Sequence, residues 1–433
     1  MRHMRRKLLS VGLLGAGLLA GHAAIGQTAP VLDPTQFQSA PATDQPLETL
    51  GLKASTGVEV FDRRAPALGA ANAPEQALRS VLDFRKEWRL GAQTRLTLSD
   101  RLEWLQDDHG HGTVRNALRE AYVSVGFGED WFADVGRINV RGGVGLGFNP
   151  SDWLREGASL PQTTQNPASQ RENRLGTAMV KLQTVRSWGA AHLALIPHLA
   201  AQPQEVSPYG LDFGRTNADP AIHVRLAPQV NERLSIDLLA YARKGRHPQW
   251  GINSTAVLGD AWIAHLEWAT GSREGLVGPA LARELSTHHR VATGLSWTTS
   301  SGAVLAIERH LATDALSGDD WDTWRMSTNP ATARRLGQLR AERSAVQAPL
   351  VRDAWFVRVA LNGLQRDPDI DLSGFVRVNP HDHSRLWQLD GSWHASAHVS
   401  VHASVGGFAG AARSEFGANP LRSFVALRAE VAY

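Results

Sequence analysis

The segment AQTRLTLSDRLEW sets Ala92, Thr94, Leu96, Leu98, Leu102 and Trp104 on one face of an extended strand. Gln93, Arg95, Thr97, Ser99, Arg101 and Glu103 fall on the other, and Asp100 is the one charged residue on the apolar side. Strands of soluble sandwiches alternate in this way over about half that length. Thirteen tilted residues suit a bilayer crossing.

The two-residue rhythm recurs to the last residue. After 92–104 it predicts strands over Val114–Phe127, Trp131–Arg141, Leu175–Val185 and Trp188–His198, then Pro220–Ala227, Arg233–Arg243, Gln249–Val257 and Ala261–Ala269. His289–Thr299, Gly302–His310, Arg352–Asn362, Asp369–Asn379, Arg385–His394, Val399–Gly410 and Leu421–Tyr433 complete a count of 16. Short connections such as GED, RS, LGD and SS alternate with long ones at 142–174, 199–219, 270–288 and 311–351. Short periplasmic turns opposite long external loops are the habit of outer-membrane barrels, and an even count returns both ends to the periplasm. The expected fold is therefore all-β: a transmembrane, antiparallel, up-and-down β-barrel of about 16 strands, with long external loops and a short N-terminal segment.

The N-terminus reads as an export signal. Arg2, Arg5, Arg6 and Lys7 precede the apolar stretch Leu8–Ala20, which is too short for a span, and small residues follow to Gly26. Removing those four basic residues takes the formal net charge from +3 to −1, so basicity gives no argument for nucleic acid. The chain has no cysteine, which excludes disulfides and a lipidated cysteine anchor. The expected division is a signal peptide over 1–26, a periplasmic segment, small plug or further part of the barrel over 27–91, and the barrel over 92–433. Within 27–91, LKASTGVEVF has the look of an additional strand and PEQALRSVLDFRKEW that of a short helix starting at Pro74.

Tryptophans gather near the expected strand ends, as at 104, 131, 262, 268, 355, 387 and 393, where an apolar ring with one donor meets the membrane–water interface. The closing FVALRAEVAY resembles the C-terminal assembly signal of Gram-negative outer-membrane proteins, with Tyr433 where phenylalanine is more usual. DVGRINVRGGVGLGFNPSDWL and the strand–loop layout resemble porin-like barrels of proteobacteria. The resemblance implies an outer-membrane location, outer-membrane lipid around the wall, and the outer-membrane assembly machinery as a partner. It implies no particular activity and no oligomeric state.

Alternation assigns Arg95, Arg101, Glu103, Glu120, Tyr122, Lys181, Gln183, His265, Glu267, Arg358, Asn362, Arg377, Asp390, Arg428 and Glu430 to the lumen. Arg137, Asn139 and Arg141 share a face that suits it too. That phase leaves Asp134 toward lipid unless a bulge at Gly136 intervenes. Both signs of charge are present with arginine ahead, which predicts weak anion preference. Two loops are candidates to narrow the lumen: the glycine-rich 142–174, and 311–351 with its basic stretch PATARRLGQLRAERSAV, read as a short helix near the mouth. His109 and His111, and His381 and His383, fall at the external mouth, where imidazole and carboxylate together suit a divalent metal. No G-x-S-x-G element or other catalytic constellation stands out, and no cofactor motif is present. The expected function is an outer-membrane channel for small polar solutes. A receptor binding a metal chelate or other ligand at the external loops and a closed structural barrel are the alternatives.

Overall fold

The computed structural model describes residues 51–64, 74–201, 209–277, 282–345, 348–364 and 367–433. The expected signal peptide, and the segment from 27 to 50, lie outside the described residues. The wall consists of β1 (Gly51–Arg63), β2 (Gln76–Arg89), β3 (Thr94–Asp107), β4 (Gly112–Phe127), β5 (Trp131–Ile138), β6 (Thr177–Arg186), β7 (Gly189–Ile196), β8 (Ala221–Asn231) and β9 (Leu234–Arg243). It continues through β10 (Gln249–Leu258), β11 (Trp262–Val277), β12 (Ala282–Thr298), β13 (Val304–Ala312), β14 (Asp353–Leu361), β15 (Ile370–Val378), β16 (Arg385–His394), β17 (Val399–Ala409) and β18 (Leu421–Ala432). Each strand pairs antiparallel with its sequence neighbours, and β1 pairs with β18 from Lys53↔Ala432 to Arg63↔Leu421. The sheet is closed and leaves no free edge, the condition for a sheet in hydrocarbon.

All 16 expected segments are strands, but the described residues form a sheet of 18. The two extra strands come from the stretch read as a periplasmic segment or plug. LKASTGVEVF lies within β1, and the expected helix from Pro74 is instead β2. On β2 an exposed row including Leu78 and Leu82 alternates with Ala77, Arg79, Val81 and Asp83, and Arg79 and Asp83 pair with the inward Glu59 and Arg101. The expected loop 270–288 is likewise mostly strand: β11 and β12 remain paired from Trp262↔Trp297 to Val277↔Ala282.

The outer face carries the alternate apolar residues. Val58, Val60, Leu102, Trp104, Leu193, Leu195, Ile222, Val224, Val425 and Leu427 are exposed there. Trp262 and Trp297 stack at 5.6 Å at the end of β11 and β12 that adjoins the short turns to β10 and β13, at the level where an indole belt is expected. Glu59, Glu103, Glu120, Lys181, His223, Arg225, His265, Glu267, Glu308 and Gln388 are buried on the inner face. An inside this polar is the mark of a lumen rather than of a soluble protein's core.

β5 corrects one placement. Asp134 is buried on the inner side, 2.7 Å from Lys181 Nζ, and Val135 is the exposed residue. The pairing of β5 with β4 and β6 runs without a register shift. The irregularity is in the backbone of Gly136, whose φ is +136°. A Cβ there would fall 2.2 Å from the Ala121 carbonyl oxygen, so only glycine fits.

Among the described residues, four α-helical pieces lie in the external connections: α1 (Pro167–Glu172), α2 (Phe213–Thr216), α3 (Gly318–Met326) and α4 (Pro330–Ala345). α4 is the helix expected in the basic stretch.

Candidate functional site: an inward loop and an ion-paired wall

The connection between β5 and β6, residues 139–176, does not project outward. Its polar groups bond inner-face side chains from several separate strands, so it folds into the lumen. The GGVGLGFNPS stretch wraps two carboxylates. On β11, Glu267 accepts from the backbone N–H of Val144 (2.8 Å), Gly145 (3.0 Å) and Ser151 (2.8 Å), from the Asn149 amide (3.1 Å) and from the Ser151 hydroxyl (2.8 Å). On β13, Glu308 accepts from the N–H of Leu146 (2.5 Å) and Gly147 (2.8 Å) and from Nε2 of His265 (2.7 Å) and His310 (2.9 Å). Both carboxylates are completely buried. A run of backbone amides turned to one side forms an anion cradle, and here the anions belong to the barrel's own wall. Glycine lets the chain come this close: a Cβ on Gly143 would lie 2.5 Å from Glu267 Oε2.

The far part of the loop bonds to the opposite arc of the wall. Gln165 N–H donates to Gln388 Oε1 at 2.7 Å, and the Asn166 amide donates to Asp390 at 3.1 Å. The Thr163 hydroxyl donates to Glu59 on β1 at 2.8 Å. The loop is also braced within itself. Arg174 pairs with Asp152 at 2.7 Å, both almost fully buried, and holds Asn139 Oδ1 at 2.8 Å. Arg171 donates to the Gly142 and Gly143 carbonyls at 2.8 and 3.1 Å. Arg155 sits 5.3 Å over the Phe148 ring, and burial pulls its guanidinium down to about 10, still cationic at neutral pH.

Facing the loop is a wall of alternating charge on β1–β4. Arg79 pairs with Glu59 and with Glu103, both at 2.8 Å. Arg101 meets Asp83 at 3.2 Å and Glu103 at 3.7 Å. Arg115 lies 3.7 Å from Glu103, and Arg119 lies 2.9 Å from Asp83. Arg85 pairs with Glu120. Five guanidinium groups thus stand against four carboxylates. A pocket lies between wall and loop, lined by Arg101, Glu103 and Arg115 on one side and Leu160, Pro161, Gln162 and Asn173 on the other. Asn173 Oδ1 accepts from Arg101 at 3.2 Å and from Arg119 at 3.1 Å.

The residues expected in the lumen separate into three groups. Arg101, Glu103 and Glu120 belong to the ion-paired wall. Arg95 continues it toward the turn end through Glu87 at 3.1 Å, and Tyr122 is half-buried on β4 beside them. His265 and Glu267 face inward but are covered by the loop, so they fasten it and do not meet solvent. Arg137 is buried too, donating to the Gly176 and Leu118 carbonyls at 2.9 and 3.1 Å. Lys181 and Gln183 face Asp134 at 2.7 and 3.5 Å. Asn139 is engaged by Arg174, and Arg141 is exposed at the start of the inward loop. The remainder sit lower or on the far arc: Arg358 and Arg377 are half-buried on β14 and β15, and Asn362 follows β14 in the turn. Arg428 and Glu430 on β18 are 3.6 Å apart, with Lys53 3.6 Å from Glu430. Sequence reasoning did not single out Glu308, Glu59, Arg79, Arg115, Arg119 or Asn173. The first falls on the lumen phase of β13, Glu59 and Arg79 lie in the segment read as a plug, and the rest give no isolated signal.

The second candidate loop stays at the mouth. Trp321, Trp324 and Leu339 of α3 and α4 pack with Leu316, Leu350, Val351 and Leu276 in a small apolar cluster. Trp321 Nε1 donates to Asp382 at 2.9 Å, and Arg340 donates to the Ser414 and Glu415 carbonyls at 2.9 and 2.5 Å. Asp314 lies under Arg290 (2.5 Å) and Arg343 (3.2 Å). Burial alone would raise its carboxyl, but the arginines outweigh that and hold it below the usual carboxylate range. Half-buried Glu415 is shifted the other way, upward, because desolvation outweighs Arg377 and Arg340.

The external histidines differ from one another. His109 and His111 converge with Asp107. His381 lies 3.7 Å from Asp353, and His383 has φ +56°. Neither of these two belongs to a metal-competent group among the described residues.

No family model matches the chain, and no curated protein matches it. Solved structures do. Pseudomonas aeruginosa OccK5 (OpdH) superposes with a TM-score of 0.52 at 10% identity, over 89% of this chain and 97% of that one. The outer membrane protein opdK of Pseudomonas aeruginosa gives 0.51 at 9% identity, over 89% and 99%. At such identities the likeness is one of fold. With its closed sheet, apolar outer band and inward loop, this chain has the fold of a porin-like outer-membrane β-barrel.

Proposed function

We propose that the protein is an outer-membrane channel for passive or facilitated passage of small polar solutes, narrowed between the β1–β4 wall and loop 139–176. The observation that carries this reading is the closed barrel with a charged inner face, on which Arg101, Arg115 and Glu103 stand beside Leu160, Gln162 and Asn173 of the inward loop. A barrel of this strand number is too wide for its side chains to fill, and among the described residues the loop's side chains hydrogen-bond the arginine-rich arc only through Thr163 and Asn173. The slight excess of guanidinium over carboxylate there favours anions weakly, since rings of charge set selectivity. Outer-membrane lipid is the surrounding solvent. Tyr433, exposed beside β1 with its N–H on the Leu52 carbonyl at 2.9 Å, is the proposed recognition point for the assembly machinery.

The test is conductance of the refolded mature protein in planar bilayers under a potassium chloride gradient. Open steps with a reversal potential on the anion side are expected, and the Arg101→Gln, Arg115→Gln double variant should move it toward cations. A correctly folded barrel that stays electrically silent would overturn the reading in favour of a closed structural barrel.

A further inference from the structure

The tip joining β3 to β4 has the sequence DDHGHG, from Asp107 to Gly112, and the channel reading gives it no task. Among the described residues it holds the one group of three or more histidine or acidic side chains whose donor atoms all come within 4.8 Å of one another: Asp107, His109 and His111. Asp107 Oδ2 and His111 Nδ1 are already 3.3 Å apart. That is about the separation of two ligand atoms on a tetrahedral ion with bonds near 2.0–2.1 Å. The rings of His109 and His111 lie 6.2 Å apart and nearly perpendicular, so they approach from different directions.

The tip is organised before any ion arrives. Asp107 Oδ1 accepts the backbone N–H of His109 (3.0 Å) and of His111 (2.8 Å), which leaves Oδ2 to face the imidazoles. Asp108 accepts the N–H of Glu75 and Gln76 at 3.0 and 3.2 Å, tying the tip to the neighbouring strand. The imidazoles themselves have little packing role, with side chains 39% and 77% exposed. Binding would therefore need only rotation of two exposed rings, with water filling the open positions.

We propose that Asp107, His109 and His111 bind one divalent transition-metal ion at the external face of the barrel. Two imidazoles with one carboxylate suit Zn²⁺, Ni²⁺ or Cu²⁺, whereas Mg²⁺ and Ca²⁺ take sets made of oxygen alone. The site is independent of the channel reading, since it lies on the tip and not in the gap between wall and loop.

Isothermal titration of the untagged mature protein in detergent with Zn²⁺ or Ni²⁺ should show one saturable site, and Mg²⁺ at the same concentration none. His109→Ala with His111→Ala should weaken binding at least tenfold. Asp107→Asn should weaken it too, although its side-chain carbonyl can still hold the turn amides, so loss there marks a ligand and not a collapsed turn. His381→Ala with His383→Ala should leave the titration unchanged. Heat-modifiable gel migration would confirm that each variant is a folded barrel. Absence of saturable binding by the wild type, or wild-type affinity in the His109/His111 variant, would overturn the proposal.

Discussion

The Ser151 hydroxyl donates to Glu267 Oε1 at 2.8 Å across 116 positions of sequence, and this contact belongs to the clasp that holds the inward loop to the wall. Each buried donor left without a partner costs about 1–3 kcal/mol. Glu267→Ala would strand the backbone N–H groups of Val144, Gly145 and Ser151 at once, while the Asn149 amide keeps the Gly145 carbonyl and the Ser151 hydroxyl keeps Asn253, and should free the glycine-rich stretch. The expected outcome is larger single-channel conductance with more open-channel noise, and a smaller effect from Glu267→Gln. Traces identical to wild type would show that the loop keeps its place without the clasp.

Arg174 and Asp152 form the loop's own internal brace. Removing one member of a buried pair costs about 3–5 kcal/mol, whereas replacing both by apolar side chains of similar size is close to neutral. Arg174→Ala should therefore expose the loop to trypsin in detergent. The double variant Arg174→Met, Asp152→Leu should restore much of the protection. Equal protection in wild type and single variant would count against the brace.

Asp314 makes the mouth sensitive to acid. Its folded pKa is depressed, so its contribution is fully present above the ordinary carboxylate value, 3.8, and is lost as pH falls below that toward the folded value. Trp321 and Trp324, buried in the α3–α4 cluster, should shift their fluorescence toward that of exposed indole in this acid range while the sheet signal persists. Asp314→Asn should already show much of the shift at neutral pH. A wild-type spectrum that stays flat down to pH 2 would refute this account.

Asp100 lies on the outer face in phase with the exposed Leu102 and Trp104, and its one hydrogen bond there comes from the Asn116 amide at 3.3 Å. A carboxylate facing lipid destabilises a barrel, by somewhat less than the about 2–4 kcal/mol of a basic residue at mid-depth. Asp100→Leu should raise the temperature at which the barrel unfolds in detergent. Asn116→Leu alone should lower it, because it leaves the carboxylate without its donor. A rise for the second variant and a fall for the first would place the pair in water.

The strands were legible wherever one face met lipid and the other water, because that contrast is what writes a period of two. Where both faces are wet the signal disappears, as in Ser272–Gly275 of β11, and a strand is mistaken for a loop. β2 failed for another reason. Leu78, Val81 and Leu82 imitate helical spacing after Pro74, and only partners on both sides, such as Val81↔Ser55 and Val81↔Glu103, settle the choice. Alternation does not announce the task of Glu267, which is to hold the inward loop. Its donors come from a glycine-rich stretch far away in sequence, and no local pattern announces which wall carboxylate that stretch will wrap. The β1–β4 ion pairs were half visible, since Arg101 and Glu103 stand on a clear strand, while Glu59 stands on a strand left outside the count of 16 and Arg79 on one read as a helix.

The inward loop is fastened to β11 and β13 at one end and to β1 and β16 at the other, and β1 and β11 are eight places apart in a ring of eighteen. A hoop tied nearly across its diameter resists flattening into an ellipse. Lateral pressure from the bilayer is then carried by a strut of amide–carboxylate bonds as well as by the sheet, and loosening either anchorage would let the cross-section breathe.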